Sequence, residues 1–318
     1  MKKRLLAVVL SVVLCVSSFG LAAMAESPVR FKIAFCTWAG YAPLYIAREK
    51  GYFADLGIDP ELVIVEDEAQ YAAMLVSGSI QALGNVLDRD VIHYACGAPQ
   101  QYLLTMDFST GGDGIIATAD IKTMDDLAGK TVGMDKSATS YFFFLQALKD
   151  SSITEDQVNI VEMGSSDAGD AFLAGQIDAA VTWEPFLSSA GQREGGHTLV
   201  SSAEYPRAII DVLTVNTNFA AENPKAVEAL EEAWYLAVEY LKQNPDDAYA
   251  IMAAGLGLNA EEVKAECGGI TFVGREGNAT FNDPNQEENV YDIAALAASY
   301  WVEKGLIENG DVSGFFAQ

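Results

Sequence analysis

Histidine is nearly missing from this chain. Only His93 and His197 occur, far apart and without partners at metal-ligand spacing, so neither a zinc centre nor a serine–histidine hydrolase is supported. Cysteine is almost as sparse. Beyond Cys15 there are Cys36, Cys96 and Cys267, with no Cys-x-x-Cys pair; a Cys36–Cys96 bridge and separate thiols both remain compatible with the spacing. Basic residues are the third shortage, with 19 Lys and Arg against 45 Asp and Glu and a formal charge of −26. Such a field disfavours nucleic acid and anionic membrane surfaces as partners, and it accommodates a cationic or neutral ligand more easily than an anion. No Gly-Ser nucleophile elbow, Walker loop or dinucleotide fingerprint appears, and Gly111-Gly112-Asp113-Gly114 is too short for a nucleotide loop.

Long apolar runs are confined to the beginning. Lys2, Lys3 and Arg4 precede Leu5 to Leu14, and Ala23-Met24-Ala25 has the small-x-small form of a cleavage site, so residues 1–25 read as an export signal peptide cleaved near Ala25. Leu14 before Cys15 does not fit a lipoprotein anchor, which points to a freely soluble exported protein. Losing Lys2, Lys3 and Arg4 takes the formal charge from −26 to −29.

From Val29 onward, short apolar strands alternate with helical patterns, the order expected of parallel α/β units. Strands are expected at Val29–Phe35, Glu61–Val65, up to Asn85-Val86-Leu87, and Gln101–Met106. Ile115–Ala117 carries the chain away, a second round follows with Leu127–Met134, Val158–Glu162 and Ile177–Thr182, and Val212–Val215 brings the chain back. Helices are expected after Pro43, at Tyr71–Ser77, from Asp88 toward Cys96, at Tyr141–Leu148, Asp167–Gly175, Ala226–Leu241, Pro245–Gly255, Ala260–Cys267 and Val290–Leu306, with a surface turn at Phe281-Asn282-Asp283-Pro284. The pattern gives two α/β lobes made of mixed sheets flanked by helices. Lobe 1 is discontinuous (26–116 and 209–318), lobe 2 is 117–208, and two crossovers form the hinge.

Strand ends at the carboxyl edge of such sheets are where small molecules bind. Trp38, Tyr41 and Trp183 fall there as aromatic faces able to sandwich a flat or cationic ligand; Tyr41 suits ordinary packing equally well. Asp88, Asp113, Glu184 and Asp211 fall on the same edge, where a carboxylate accepts from ligand N–H groups or caps a helix. The loop 135–140 adds the hydroxyls of Ser137 and Thr139 at a helix start. Asp113 and Glu184 are also the obvious pair for a carboxylate-pair hydrolase. Trp234 sits at helical spacing and is assigned to the core.

Several of these stretches together carry a resemblance. Trp38-Ala-Gly-Tyr-Ala-Pro-Leu-Tyr-Ile-Ala-Arg-Glu-Lys-Gly-Tyr-Phe53, Leu56-Gly-Ile58, Leu75-Val-Ser-Gly78, Ser109-Thr-Gly-Gly-Asp-Gly114, Leu127-Ala-Gly-Lys-Thr-Val132 and Ala180-Val-Thr-Trp-Glu-Pro185 resemble the nitrate/taurine/aliphatic-sulfonate and thiamine-pyrimidine-precursor class of ABC-importer binding proteins. The resemblance spans almost the whole chain after the signal peptide. It implies a two-lobed type II periplasmic binding protein, without enzymatic activity or cofactor, monomeric, and delivering a small solute to a membrane permease and its ATPase. It also implies ligand contacts at Trp38 to Tyr41, Asp88, Ser137 to Ser140, and Trp183-Glu184. Strand-end carboxylates set this sequence apart from anion-binding members, because an unpaired carboxylate facing an anion in a dry cleft is costly. The Ser109–Gly114 form also resembles the branch found in urea-carboxylase gene neighbourhoods. A guanidine-like solute is therefore expected first, an amino-pyrimidine second, and taurine or a sulfonate third.

Overall fold

The computed structural model describes residues 27–136 and 139–316. The first half of the chain runs β1 (Val29–Phe35), α1 (Pro43–Glu49), α2 (Tyr52–Asp55), β2 (Ile58–Ile64), α3 (Tyr71–Ser77), β3 (Ala82–Val86), α4 (Leu87–Ala95) and β4 (Gln100–Ser109). Next come β5 (Asp113–Ala117), β6 (Thr131–Met134), α5 (Thr139–Leu148), β7 (Asn159–Glu162), α6 (Ser165–Leu173), β8 (Ala179–Trp183), α7 (Phe186–Ser189) and β9 (His197–Ser201). The remainder is β10 (Ile210–Asn216), α8 (Thr217–Glu222), α9 (Pro224–Gln243), α10 (Pro245–Leu256), α11 (Ala260–Cys267), β11 (Ile270–Phe272), α12 (Arg275–Phe281) and α13 (Val290–Glu303).

Two mixed sheets result. The first has strand order β11-β4-β10-β3-β1-β2 and the second β7-β6-β8-β5-β9. Within the first, β1 pairs in parallel with β2 and β3, and β10 returns antiparallel between β3 and β4. The second repeats the scheme: β6 is parallel to β7 and β8, and β5 is antiparallel to β8. Because β5 pairs inside the second sheet, residues 113–116, expected in the first lobe, belong with the second. The first crossing lies between Ser109 and Asp113.

Local chemistry explains where elements start and stop. Pro43 occupies the first turn of α1, where its missing N–H costs nothing, and Gly51 at φ 80° lets the chain leave by a left-handed residue that most side chains resist. α9 buries Leu230, Ala233, Trp234, Ala237, Val238 and Leu241 on one stripe, and Trp234 Nε1 donates to the Val273 carbonyl at 3.0 Å, so that tryptophan is core as expected.

Apolar packing also ties the sheets together. One continuous core takes in Val91 and Tyr102 from the first sheet's side and Val132 and Phe142 from the second. α13, placed in lobe 1 by the sequence, packs across onto α5: Phe142 meets Tyr300 edge-on at 5.7 Å, Tyr141 stacks on Trp301 at 6.4 Å, and Lys304 Nζ reaches Glu155 at 2.6 Å.

Some expectations needed correction. β4 continues to Ser109, so Asp107, Phe108 and Ser109 belong to a strand instead of a loop. Phe281 ends α12 and is buried, leaving only the residues after it to turn at the surface. β9, β11 and α12 were not expected at all. Cys36, Cys96 and Cys267 are all free thiols.

Candidate functional site

A cavity of about 540 Å³ opens between the two sheets. From the first sheet it is walled by the segment after β1 (Cys36, Thr37, Trp38, Tyr41), the segment after β2 (Glu66 to Ala69), Val86 and Arg89 at the start of α4, and Ile209 and Asp211. From the second come Asp113, Asp135, Thr139, Ser140, the segment 164–167 opening α6, and Trp183. Nearly all of these follow a strand's carboxyl end, where turns leave polar groups and rings facing the gap.

Six sequence candidates line this one cavity: Trp38, Tyr41, Asp113, Thr139, Trp183 and Asp211. Asp88 and Glu184 do not join them. Asp88 lies in the first turn of α4 behind the wall, where its Oδ1 accepts from Thr139 Oγ1 at 2.9 Å while its carbonyl accepts from Trp301 Nε1 at 2.9 Å. Glu184 turns toward α7, accepting from the Ser188 N–H at 3.0 Å and its hydroxyl at 2.7 Å; the demand of a helix start for acceptors accounts for that orientation. Ser137 lies outside the described residues.

Acid dominates the lining. Glu66, Asp67, Glu68, Asp113, Asp135, Asp167 and Asp211 all face the cavity, and among the described lining residues Arg89 is the one base. Its guanidinium is already engaged, 3.1 Å from Glu68 and 3.3 Å from Asp135, so it ties the two walls together. Ser140 and Ser165 hydroxyls bond each other at 2.5 Å, and Thr182 Oγ1 donates to the Ser165 carbonyl at 2.9 Å, fixing the hydroxyl side of the wall.

Three of the lining acids, Glu68, Asp113 and Asp211, and Asp88 behind them, resist ionisation. Burial pushes Asp113 up to about 7, with the nearby charge of Glu184 adding and the Ser109 hydroxyl opposing. Burial does the same to Asp88, also to about 7, against the pull of Thr139 and Arg89. Glu68 is raised by burial and restrained by Arg89. Tyr41 donates its hydroxyl to Asp211, and both groups titrate above their ordinary range because they are buried. Cys36 is raised by burial and then by the neighbouring acids, so it stays a neutral thiol.

Sequence reasoning missed Glu66, Asp67, Glu68, Asp135, Asp167 and Arg89. The first three follow the end of β2, and the strand-end criterion that selected Trp38 would have found them. It also missed Asp107, which only the register of β4 against β10 brings beside Asp211.

Two mixed sheets facing each other across a polar cavity, each with its antiparallel strand between parallel neighbours, define the periplasmic binding protein fold. The aliphatic sulphonate binding protein SsuA of Escherichia coli superposes with a TM-score of 0.74 at 19% identity, over 92% of this chain and 93% of that one. The desulfurization enzyme DSZB shares the architecture at a TM-score of 0.64 and 16% identity, over 91% and 96%, so the fold alone does not separate binding from catalysis. Residues 38–248 match the "NMT1/THI5 like" family, and the chain belongs to it. Among relatives, the taurine-binding periplasmic protein of Escherichia coli is 26% identical over 213 residues, 64% of each chain. The formylaminopyrimidine-binding protein of Halalkalibacterium halodurans is 23% identical over 285 residues, 83% of each.

Proposed function

We propose that this protein is the periplasmic solute-binding receptor of an ABC importer, working as a monomer that hands its cargo to a permease and ATPase. The solute is a small nitrogen-rich organic cation, with guanidinium as the first choice and a neutral relative such as urea also accommodated. It lies between the faces of Trp38 and Trp183 and gives its N–H donors to Asp113 and Asp211. The observation that carries this reading is the make-up of the wall: seven carboxyl groups against one guanidinium that two of them already occupy. An anion entering there would meet uncompensated negative charge, whereas a cation completes the site.

Residues 113–201 supply one wall and the rest of the chain the other, which supports closure of two lobes about the two crossings. An amino-pyrimidine is the second reading, favoured by the relative that binds formylaminopyrimidine. Binding rather than hydrolysis is supported by Glu184, which is committed to Ser188 and so is not free to pair with Asp113 in acid–base work. Calorimetric titration with guanidinium chloride, urea, a formylaminopyrimidine and taurine tests the assignment. Guanidinium is expected to bind tightest; taurine binding more tightly than guanidinium would overturn it.

A further inference from the structure

Beneath the cavity floor, the described residues leave three buried polar atoms without a hydrogen-bond partner close together: Trp38 Nε1 and both carboxyl oxygens of Asp107. They crowd around Gly40, where a methyl group would lie 2.1 Å from Asp107 Oδ2 and 2.3 Å from Trp38 Nε1. Asp107 stands opposite Asp211 in the antiparallel β4–β10 ladder, so the two carboxyls leave the same face of the sheet side by side. A register shift follows at once between Asp211 and Val212, the kind of irregularity that re-aims side chains beside functional sites. Asp107 is 0% exposed and Asp211 2%, yet Asp211 reaches the cavity.

Two carboxylates so placed cannot both be charged without a compensating cation. Among the described residues, the titratable groups that bear most strongly on them are Asp113 on β5, Glu68 after β2, Tyr41 and Cys36 beside α1, and Cys267 at the end of α11, and none of these is positive. Arg89 is held by Glu68 and Asp135. The Trp38 indole N–H beside Asp107 opposes its rise but stands outside hydrogen-bond geometry, and a bond between Asp107 and Asp211 requires a proton on one of them. Burial and the charge of Asp211 favour that proton on Asp107, while the Tyr41 hydroxyl helps Asp211 to remain the anion.

We infer that Asp107 and Asp211 share one proton in the unliganded protein and release it to water when a cationic solute seats on Asp211, making capture a cation-for-proton exchange. This rests on the reading of the cleft as a cation site. The charge balances: a singly charged pair with its proton becomes a doubly charged pair with the cation, and the site's net charge is unchanged. A neutral solute cannot replace the proton and binds without releasing it. Selectivity for guanidinium over urea therefore rises with pH while the pair is protonated, by about tenfold per pH unit for one proton displaced.

The test is calorimetry of guanidinium chloride and of urea in buffers of different ionisation enthalpy, which counts protons released per solute bound. Wild-type protein is expected to release about one proton more with guanidinium than the Asp107→Asn variant does, and D107N should lose the corresponding pH dependence of affinity. Equal proton counts in wild type and D107N, with guanidinium still bound, would overturn the exchange and leave the receptor reading standing. Failure of guanidinium to bind wild type at any pH between 5 and 8 would remove both. If D107N does not fold, carboxyl-carbon NMR of the wild type reads the same proton: the Asp107 signal should move to its ionised position when guanidinium is added, and a signal that stays put overturns the inference.

Discussion

Gly40 shows how tightly single positions are set around the cavity floor. A Cβ there would drive into Asp107 Oδ2 and Trp38 Nε1, both buried atoms, the first on a fully buried side chain and the second on a partly buried one. Gly40→Ala is expected to cost about 1–3 kcal/mol by overpacking and to weaken solute binding at least about tenfold by displacing Trp38, as read by chemical denaturation and calorimetry. The raised acids make a second prediction. Asp88 and Asp113 titrate at about 7 in the folded protein but near 4 when unfolded, so between those values the folded state holds the extra protons. Their contribution to stability is complete below about pH 4 and is lost as pH rises through about 7. The melting temperature of ligand-free protein should fall from pH 5 to pH 8, and Asp113→Asn should flatten the slope; an unchanged slope would refute that assignment. At this scale the strand-end criterion picked out Trp38, Asp113, Trp183 and Asp211. Asp88 and Glu184 lie off the cavity lining because Thr139 and the start of α7, respectively, take their carboxyl groups, and the criterion could not see Asp107 in mid-strand.

Among the elements, β4 depends on a partner that no pattern in the chain announces. Asn278 of α12 is buried, accepts from the Thr105 N–H at 2.8 Å and donates to the Thr105 carbonyl at 2.9 Å. It thereby satisfies the strand backbone next to the irregularity beside Asp107. Asn278→Ala would leave those groups unpaired, and a loss of about 1–3 kcal/mol is expected in a urea titration, with weakened guanidinium binding as the strand relaxes. α12 was invisible because Arg275–Phe281 contains Gly277 and Asn278, both poor helix formers; tertiary hydrogen bonds hold it instead. β11 has only three residues, too few to show a period, and β9 follows a glycine pair without a clear apolar alternation. The long amphipathic α9 and the apolar β1 and β3 were legible because burial and period agree in them.

Across the whole molecule, a formal charge of −26 surrounds an acidic cavity and should draw cations inward. The association rate of guanidinium is expected to fall as salt rises, while that of urea changes little; stopped-flow mixing at two ionic strengths distinguishes them. The apolar core that runs from Val91 and Tyr102 to Val132 and Phe142, closed over by α13, has a different consequence. Neither half can melt without stripping the other of its dry interface, so the chain should lose structure in a single cooperative step, its near-ultraviolet and far-ultraviolet signals falling together in denaturant, despite twice crossing from one sheet to the other.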